Sequence, residues 1–153
     1  MAEKINISPS QDEKYMRMAL NEAQHALAKR EVPIGAIVVA GDRVIGRGHN
    51  LVETLCDATA HAEMQAITAA MSTLGGKYLS DCTLYVTVEP CVMCGGALAW
   101  SQIGRVVYGT ADPKRGYSTY SERIMHPKTQ VKSGVLKEEC EALMSEFFAS
   151  LRK

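Results

Sequence analysis

Apolar residues recur at helical spacing near the start of the chain. Tyr15, Met18, Ala19, Ala23, Ala26 and Leu27 fall on one stripe, which predicts an amphipathic helix over 11–30. Ser10-Gln11-Asp12-Glu13 has the form of a capping box in front of it, and Pro33 closes it. The period then changes. Ile34–Ala40 is a continuous apolar, β-branched run, and Arg43–His49 carries Val44 and Ile45 beyond Gly41-Asp42. Two strands around a glycine-containing turn predict a hairpin. Polar residues 50–60 predict a loop. A second helix is expected over 61–73, stopped by Gly75-Gly76. Thr83–Val88 reads as a buried strand, Cys91–Ser101 as a third helix and Arg105–Tyr108 as a short strand. The next stretch has little periodicity, after which Val131–Val135 predicts a strand and Leu136–Leu151 a last helix. This alternation favours an α/β fold: three layers, α/β/α, around a central mixed five-stranded sheet.

A length of 153 residues fits one domain, with residues 1–10 expected as a flexible N-terminal extension. With 46% hydrophobic and 22% charged residues, the composition is that of a soluble globule. No run reaches the length of a signal peptide or a membrane span, which points to a cytoplasmic protein without membrane contact. Lys+Arg and Asp+Glu both number 17, so bulk charge gives no support to nucleic-acid binding. Only a local basic stretch could supply it. Residues 101–137 provide one, with Arg105, Lys114, Arg115, Arg123, Lys128, Lys132 and Lys137 against Asp112 and Glu122. Such a run is more often a solvated face.

The chemistry concentrates in two short segments. His61-Ala62-Glu63 and Pro90-Cys91-Val92-Met93-Cys94 each open a predicted helix. Either alone is a weak signal. The pair resembles the signature of zinc-dependent nucleobase deaminases. Cys91 and Cys94, three residues apart, share a helix face and lie where unpaired backbone N–H groups favour thiolates. Zinc takes two thiolates and an imidazole in a tetrahedron and keeps one position open for water. Two thiolates cancel the charge of the ion, so the water is less acidic than in an all-histidine site. It then needs a proton acceptor, and Glu63 is the candidate. Residues i and i+2 of an ideal helix point about 200° apart. His61 and Glu63 converge only if the helix is just beginning at His61. The alternatives are a closed structural zinc or a redox pair. A closed site wants a fourth ligand, and Cys56, Cys82 and Cys140 lack ligand spacing to the others; they read as small buried residues.

Further stretches carry a family resemblance: Glu31-Val32-Pro33-Ile34-Gly35-Ala36, Arg43-Val44-Ile45-Gly46 with Asn50, Thr59-Ala60-His61-Ala62-Glu63, and Leu84 through Cys94. To these add Ile103–Gly109, Ala111-Asp112-Pro113-Lys114, Gly134-Val135-Leu136, Glu139-Cys140 and Phe147-Phe148. Over residues 12–150 the chain resembles the cytidine-deaminase superfamily, and within it the bacterial tRNA-specific adenosine deaminases. The resemblance implies a cytidine-deaminase-like fold, one zinc per chain and a homodimer with active sites near the subunit interface. It implies deamination of adenosine to inosine at the wobble position of a tRNA anticodon stem-loop, by attack of a zinc-activated water on C6 of the extruded adenine. Glu63 would be catalytic, and His61, Cys91 and Cys94 the ligands. Asn50, the backbone of Ala62, Pro90 and Phe148 would bind substrate, and Lys114, Arg115, Lys128 and Arg152 would lie nearest the RNA.

The segment Arg115-Gly116-Tyr117-Ser118-Thr119-Tyr120 departs from the usual pattern of that branch. Trp100 and the Leu74-Gly75…Tyr78-Leu79…Asp81-Cys82 stretch resemble bacterial guanine deaminases, so a free-base deaminase is the alternative. Tyr117 and Tyr120 either stack on bases or cover a sheet edge. Phe147 and Phe148, adjacent on a helix, are expected to point apart, one into the core and one toward the active site. His25 reads as a surface residue, His49 as a loop-shaping one, and Gly95-Gly96 as a site of close packing, at the dimer interface.

Overall fold

The computed structural model describes residues 5–152. α1 spans Pro9–Ala28, the hairpin is β1 Gly35–Ala40 and β2 Arg43–His49, and α2 is Val52–Leu55. α3 spans Ala62–Leu74, β3 Cys82–Val88, α4 Val92–Trp100, β4 Arg105–Thr110, β5 Gln130–Ser133 and α5 Lys137–Leu151. The strands lie in the order β2-β1-β3-β4-β5. β1 is antiparallel to β2 and β3, whereas β3, β4 and β5 run parallel. The sheet is therefore mixed, as expected.

Strand alternation splits the core into two layers. Ala36, Val38, Leu84, Val86 and Val106 face α3 and α4. Ile37, Val39, Tyr85 and Val107 face the opposite side, with Tyr15, Met16 and Ala19 of α1 and Cys140 of α5. Gly41 takes the left-handed conformation (φ +64°) that the hairpin turn requires. At Gly46 and Gly48 a Cβ would overlap the carbonyls of Ala66 and Ala62. Glycine on β2 and alanine at 62, 66 and 70 thus let α3 lie directly on the strand, which fixes the end of α3 that carries the candidate chemistry.

Four local expectations change. The cap of α1 is Ser8: it forms the capping box with Gln11, and Pro9 takes the first helical position. Helix α1 therefore starts before residue 11. Residues 1–4 of the expected extension lie outside the described residues, but Ile5 already approaches Gly104. The loop over 50–60 contains the short helix α2. β5 is Gln130–Ser133 rather than Val131–Val135, because Gly134 turns away at φ +86° while its N–H bonds the Tyr108 and Gly109 carbonyls.

One ionic group ties four elements together on the α1 face. The wholly buried Asp12 accepts hydrogen bonds from Tyr85 Oη (2.7 Å), Arg105 Nη1 and Nη2 (2.8 and 2.9 Å) and Lys132 Nζ (2.8 Å). Arg105 and Lys132 are thereby engaged inside the fold, and the basic stretch of 101–137 loses two of its seven cations as candidates for binding a ligand.

Candidate zinc centre and active-site pocket

His61 is the N-cap of α3, with extended backbone (φ −75°, ψ 157°), and Glu63 sits in the first turn behind it. This is the irregular start that the His-x-Glu spacing demanded. Cys91 likewise caps α4 in an extended conformation (φ −74°, ψ 175°), and Cys94 lies inside the first turn. The two cysteines therefore converge from a cap and a helix, not from one helix face. Neither His61 nor Cys91 bonds its own helix through its side chain, so both are free to ligate. The positive ends of α3 and α4 point at the thiols.

His61 Nδ1 lies 3.6 Å from Cys91 Sγ and 3.5 Å from Cys94 Sγ. Zinc with Zn–S of about 2.3 Å and Zn–N of about 2.05 Å at tetrahedral angles requires an S···N separation of about 3.6 Å. The donor set fits the ion. Left to themselves, the three donors share protons. The hydrogen bond with Cys94 is the main reason that Cys91 falls to about 4, burial opposing it and His61 adding to it. The same bond with Cys91, with burial, pushes Cys94 up, and the Cys91 bond raises His61. A divalent cation displaces those protons. Beside the trio, burial pushes the Glu63 carboxyl up to about 7, with the neighbouring Cys91 thiolate adding to the rise.

These groups open on a cavity of about 680 Å³ whose lining includes His61, Ala62, Glu63, Cys91 and Asn50, with Phe147, Phe148 and Leu151 of α5 as an apolar wall. Asn50 is buried. Its Oδ1 accepts from the Val52 N–H (3.3 Å), and its Nδ2 reaches the Val32 carbonyl at 3.5 Å. It holds the loop and still keeps an amide edge toward the cavity. Phe147 is buried and Phe148 exposed toward the cavity, as expected, yet their rings still meet edge to face, 5.3 Å between centroids, and both contribute to the cavity lining. Pro90 is buried beneath the site, where its carbonyl accepts from the Tyr117 N–H, and does not line the cavity.

A second cavity of about 650 Å³ shares Val88, Asp112, Arg115, Phe148 and Leu151 with the first. Lys114, Arg115 and Arg152 all line it, so three of the four expected cations come together, whereas Lys128 lies outside both cavities. Tyr117 is buried and cannot stack on a base; Tyr120 is exposed. Gly95 packs against Ile124 and Tyr117 of the same chain, so its role is internal, while Gly96 faces open space. Cys82 and Cys140 are buried, but Cys56 is exposed, at the left-handed end of α2.

Two buried carboxylates at the site escaped sequence reasoning. Glu31 accepts from the Glu53 and Thr54 N–H groups (3.1 and 2.6 Å) and from Thr54 Oγ1 (2.6 Å), capping α2 from outside. Glu89 accepts from the Asp112 N–H (3.2 Å) and from Ser118 N–H and Oγ (3.0 and 2.6 Å). A Cβ at Gly116 would overlap this carboxylate. The segment that departs from the usual pattern is thus braced by its own Gly116 and Ser118. A charge at the end of the apolar run Leu84–Val88 was the available signal for Glu89.

Comparison with known proteins decides the family. Residues 9–110 match the cytidine and deoxycytidylate deaminase zinc-binding region. A tRNA-specific adenosine deaminase of Bacillus subtilis is 48% identical over 150 residues, covering 94% of this chain and 92% of that protein. This chain belongs to the tRNA-specific adenosine deaminase branch of the cytidine and deoxycytidylate deaminase family. It is a zinc-dependent hydrolase, and the three-layer fold read from its alternation is that of the deaminases. A structure from work on A-to-I editing by tRNA:A34 deaminases superposes with a TM-score of 0.79 at 39% identity, covering 85% of this chain and 98% of that one. A guanine deaminase from Nitrosomonas europaea superposes with a TM-score of 0.80 but is 25% identical, covering 95% of this chain and 87% of that one. Among the described residues no helix of this deaminase is long and apolar enough to cross a membrane.

Proposed function

We propose that this deaminase converts adenosine to inosine at the wobble position of a tRNA anticodon, in the cytoplasm and as a homodimer. The observation that carries the substrate is the second cavity, which shares Val88, Asp112, Arg115, Phe148 and Leu151 with the catalytic one and is lined by Lys114, Arg115 and Arg152. A free base fills only the first. An anticodon loop brings an extruded base for the first and phosphates for the second. The 48% identity to a tRNA-specific enzyme supports the same reading, against 25% and 35% to two guanine deaminases.

His61, Cys91 and Cys94 would hold the zinc. When bound, zinc supplies a Lewis acid that makes a water nucleophilic near neutral pH. Glu63 takes a proton from the attacking water and delivers it to the ring nitrogen beside C6. It then delivers the second proton to the departing amine, so that adenosine and water become inosine and ammonia. Asn50 reads the base edge with the second N–H and the second lone pair of its amide, beyond those used in the loop. The Ala62 backbone and Phe148 close the pocket around the ring and keep bulk water out. Pro90 supports the site from below through the Tyr117 N–H. The homodimer draws support from α4, which leaves Val92, Met93 and Trp100 exposed.

The experiment is incubation of the purified enzyme with total tRNA and, separately, with guanine, cytosine and adenosine, reading inosine in tRNA and ammonia release. Inosine at the first anticodon position is the expected result. Brisk release of ammonia from guanine with unaltered tRNA overturns the reading in favour of the free-base alternative. Sedimentation analysis tests the dimer, and one zinc per chain is expected by elemental analysis.

A further inference from the structure

Away from the zinc centre, α1 and β2 bring together a second set of metal-ligating groups. Glu22 and His25 stand three residues apart on α1, and His49 ends β2. His49 Nδ1 lies 3.0 Å from Glu22 Oε1, and His25 Nδ1 lies 3.7 Å from Glu22 Oε2. One ligand atom from each of the three falls within 4.8 Å of the others. Imidazole and carboxylate ligands at about 2.0–2.2 Å from a tetrahedral ion stand about 3.3–3.6 Å apart; the two imidazoles lie near that separation, each from its own oxygen of the Glu22 carboxylate. The Glu-x-x-His spacing on one helix is itself suited to holding an ion between adjacent turns. The Glu22 and His49 side chains are largely enclosed, while the His25 side chain is open to solvent. A cation therefore has a fixed base and an accessible entry.

We propose that Glu22, His25 and His49 form a second cation site, selective for borderline divalent transition-metal ions such as zinc or cobalt(II). Two imidazoles and one carboxylate suit that class. Calcium and magnesium need more oxygen donors than the cluster offers. Lys29 Nζ lies 2.9 Å from His49 Nε2. An ammonium only donates, so this contact calls on the lone pair of His49 Nε2. A metal held at Nδ1 leaves the ring proton on Nε2, which excludes the Lys29 contact and turns that exposed side chain away. Lys29 is thus an internal competitor that weakens the site. Occupancy would pin the end of α1 to the residue that precedes Asn50, next to the wall of the catalytic pocket.

Cobalt(II) titration of the zinc-loaded, tag-free full chain tests the site. The expected result is one equivalent of cobalt bound beyond the resident zinc, with the weak visible absorption of nitrogen and oxygen ligands and no thiolate charge-transfer band. His25→Ala, at an exposed position, weakens binding by about tenfold or more, and Lys29→Ala tightens it by about tenfold. Neither variant changes the zinc content or the activity measured without added metal. Three results overturn the proposal. These are absence of an additional equivalent, uptake by His25→Ala equal to that of the wild type, and a thiolate band showing that cobalt has replaced zinc at Cys91 and Cys94.

Discussion

Substituting Asp12 by asparagine tests the ion group that joins α1 to β3, β4 and β5. Burial alone would raise the Asp12 carboxyl. Hydrogen bonds from Arg105, Lys132 and Tyr85 outweigh it and hold the group at about 2, against 3.8 in an open chain. That difference corresponds to about 2 kcal/mol of stability at neutral pH. The folded value lies below the unfolded one, so the contribution is complete above pH 4 and is lost as pH falls through about 2. Asp12→Asn also strands the buried Arg105 guanidinium, and breaking a buried pair from one side costs about 3–5 kcal/mol. The expected loss at pH 7 is therefore at least about 2 kcal/mol and at most about 5. Urea unfolding of both proteins between pH 7 and pH 2.5 measures it. Acid release of zinc affects both alike and drops out of the difference. The gap should be constant from pH 7 to pH 5 and shrink toward pH 2.5, as Asp12 of the unfolded wild-type chain takes up its proton while the folded carboxyl still resists it. A gap below about 1 kcal/mol at pH 7, or one that ignores pH, refutes the reasoning.

Glu63→Gln should keep one zinc per chain and lose about 10²–10⁴-fold in turnover; activity within a few-fold of wild type assigns the proton transfer elsewhere. Cys91→Ala should lose zinc and melt earlier, because binding energy is in part folding energy, and full zinc occupancy in that variant sinks the ligand assignment. Asn50→Ala should weaken deamination with zinc retained, whereas unchanged kinetics with a lower melting temperature would leave Asn50 as a loop brace only. Neutralising Lys114, Arg115 and Arg152 together should weaken tRNA binding and flatten its salt dependence by about 0.7 for each phosphate that is no longer neutralised, while Lys128→Ala should change little; equal effects of the two variants contradict the second cavity as the RNA path.

What could be read from the sequence divides by the range of the interaction. The hairpin was legible because Gly41-Asp42 sits between two β-branched runs, and the sheet because its strands are continuous apolar segments. The convergence of His61, Cys91 and Cys94 was legible because the helix starts at His61 and Cys91 are local features that fix where side chains leave the backbone. The cap of α1 was misplaced by two residues because Ser8 and Ser10 both offer the pattern, and only Pro9 at the first helical position separates them. Glu31, Glu89 and Asp12 were not legible. Each gains its role from partners far away in the chain: Thr54, Ser118 and Arg105 respectively. No periodicity records such pairs. The same blindness inflated the basic stretch, since the sequence does not show that Arg105 and Lys132 are spent on a buried aspartate.

The division of labour along the chain follows from where the two kinds of residue fall. The matched deaminase region ends at residue 110. His61, Glu63, Cys91, Cys94 and Asn50 lie within it. Asp112, Lys114, Arg115, Phe147, Phe148, Leu151 and Arg152 lie beyond it, and they form the outer wall and the basic extension of the pocket. Glu89 stands at the junction, one residue before the Pro90-Cys91 turn, and accepts hydrogen bonds from Asp112 and Ser118 on the far side. The Asp112 carboxylate in turn accepts the N–H groups of Lys114 and Arg115, each at 3.0 Å, which fixes the backbone from which both cations extend. A chain of hydrogen bonds therefore sets the loop after β4 against the end of β3, next to Cys91. Chemistry can stay constant while the loop and α5 vary, provided that the Glu89 brace is kept. We infer that substrate choice belongs to the loop after β4 and to α5, since zinc-binding residues shared by such deaminases cannot by themselves distinguish an anticodon from a free base.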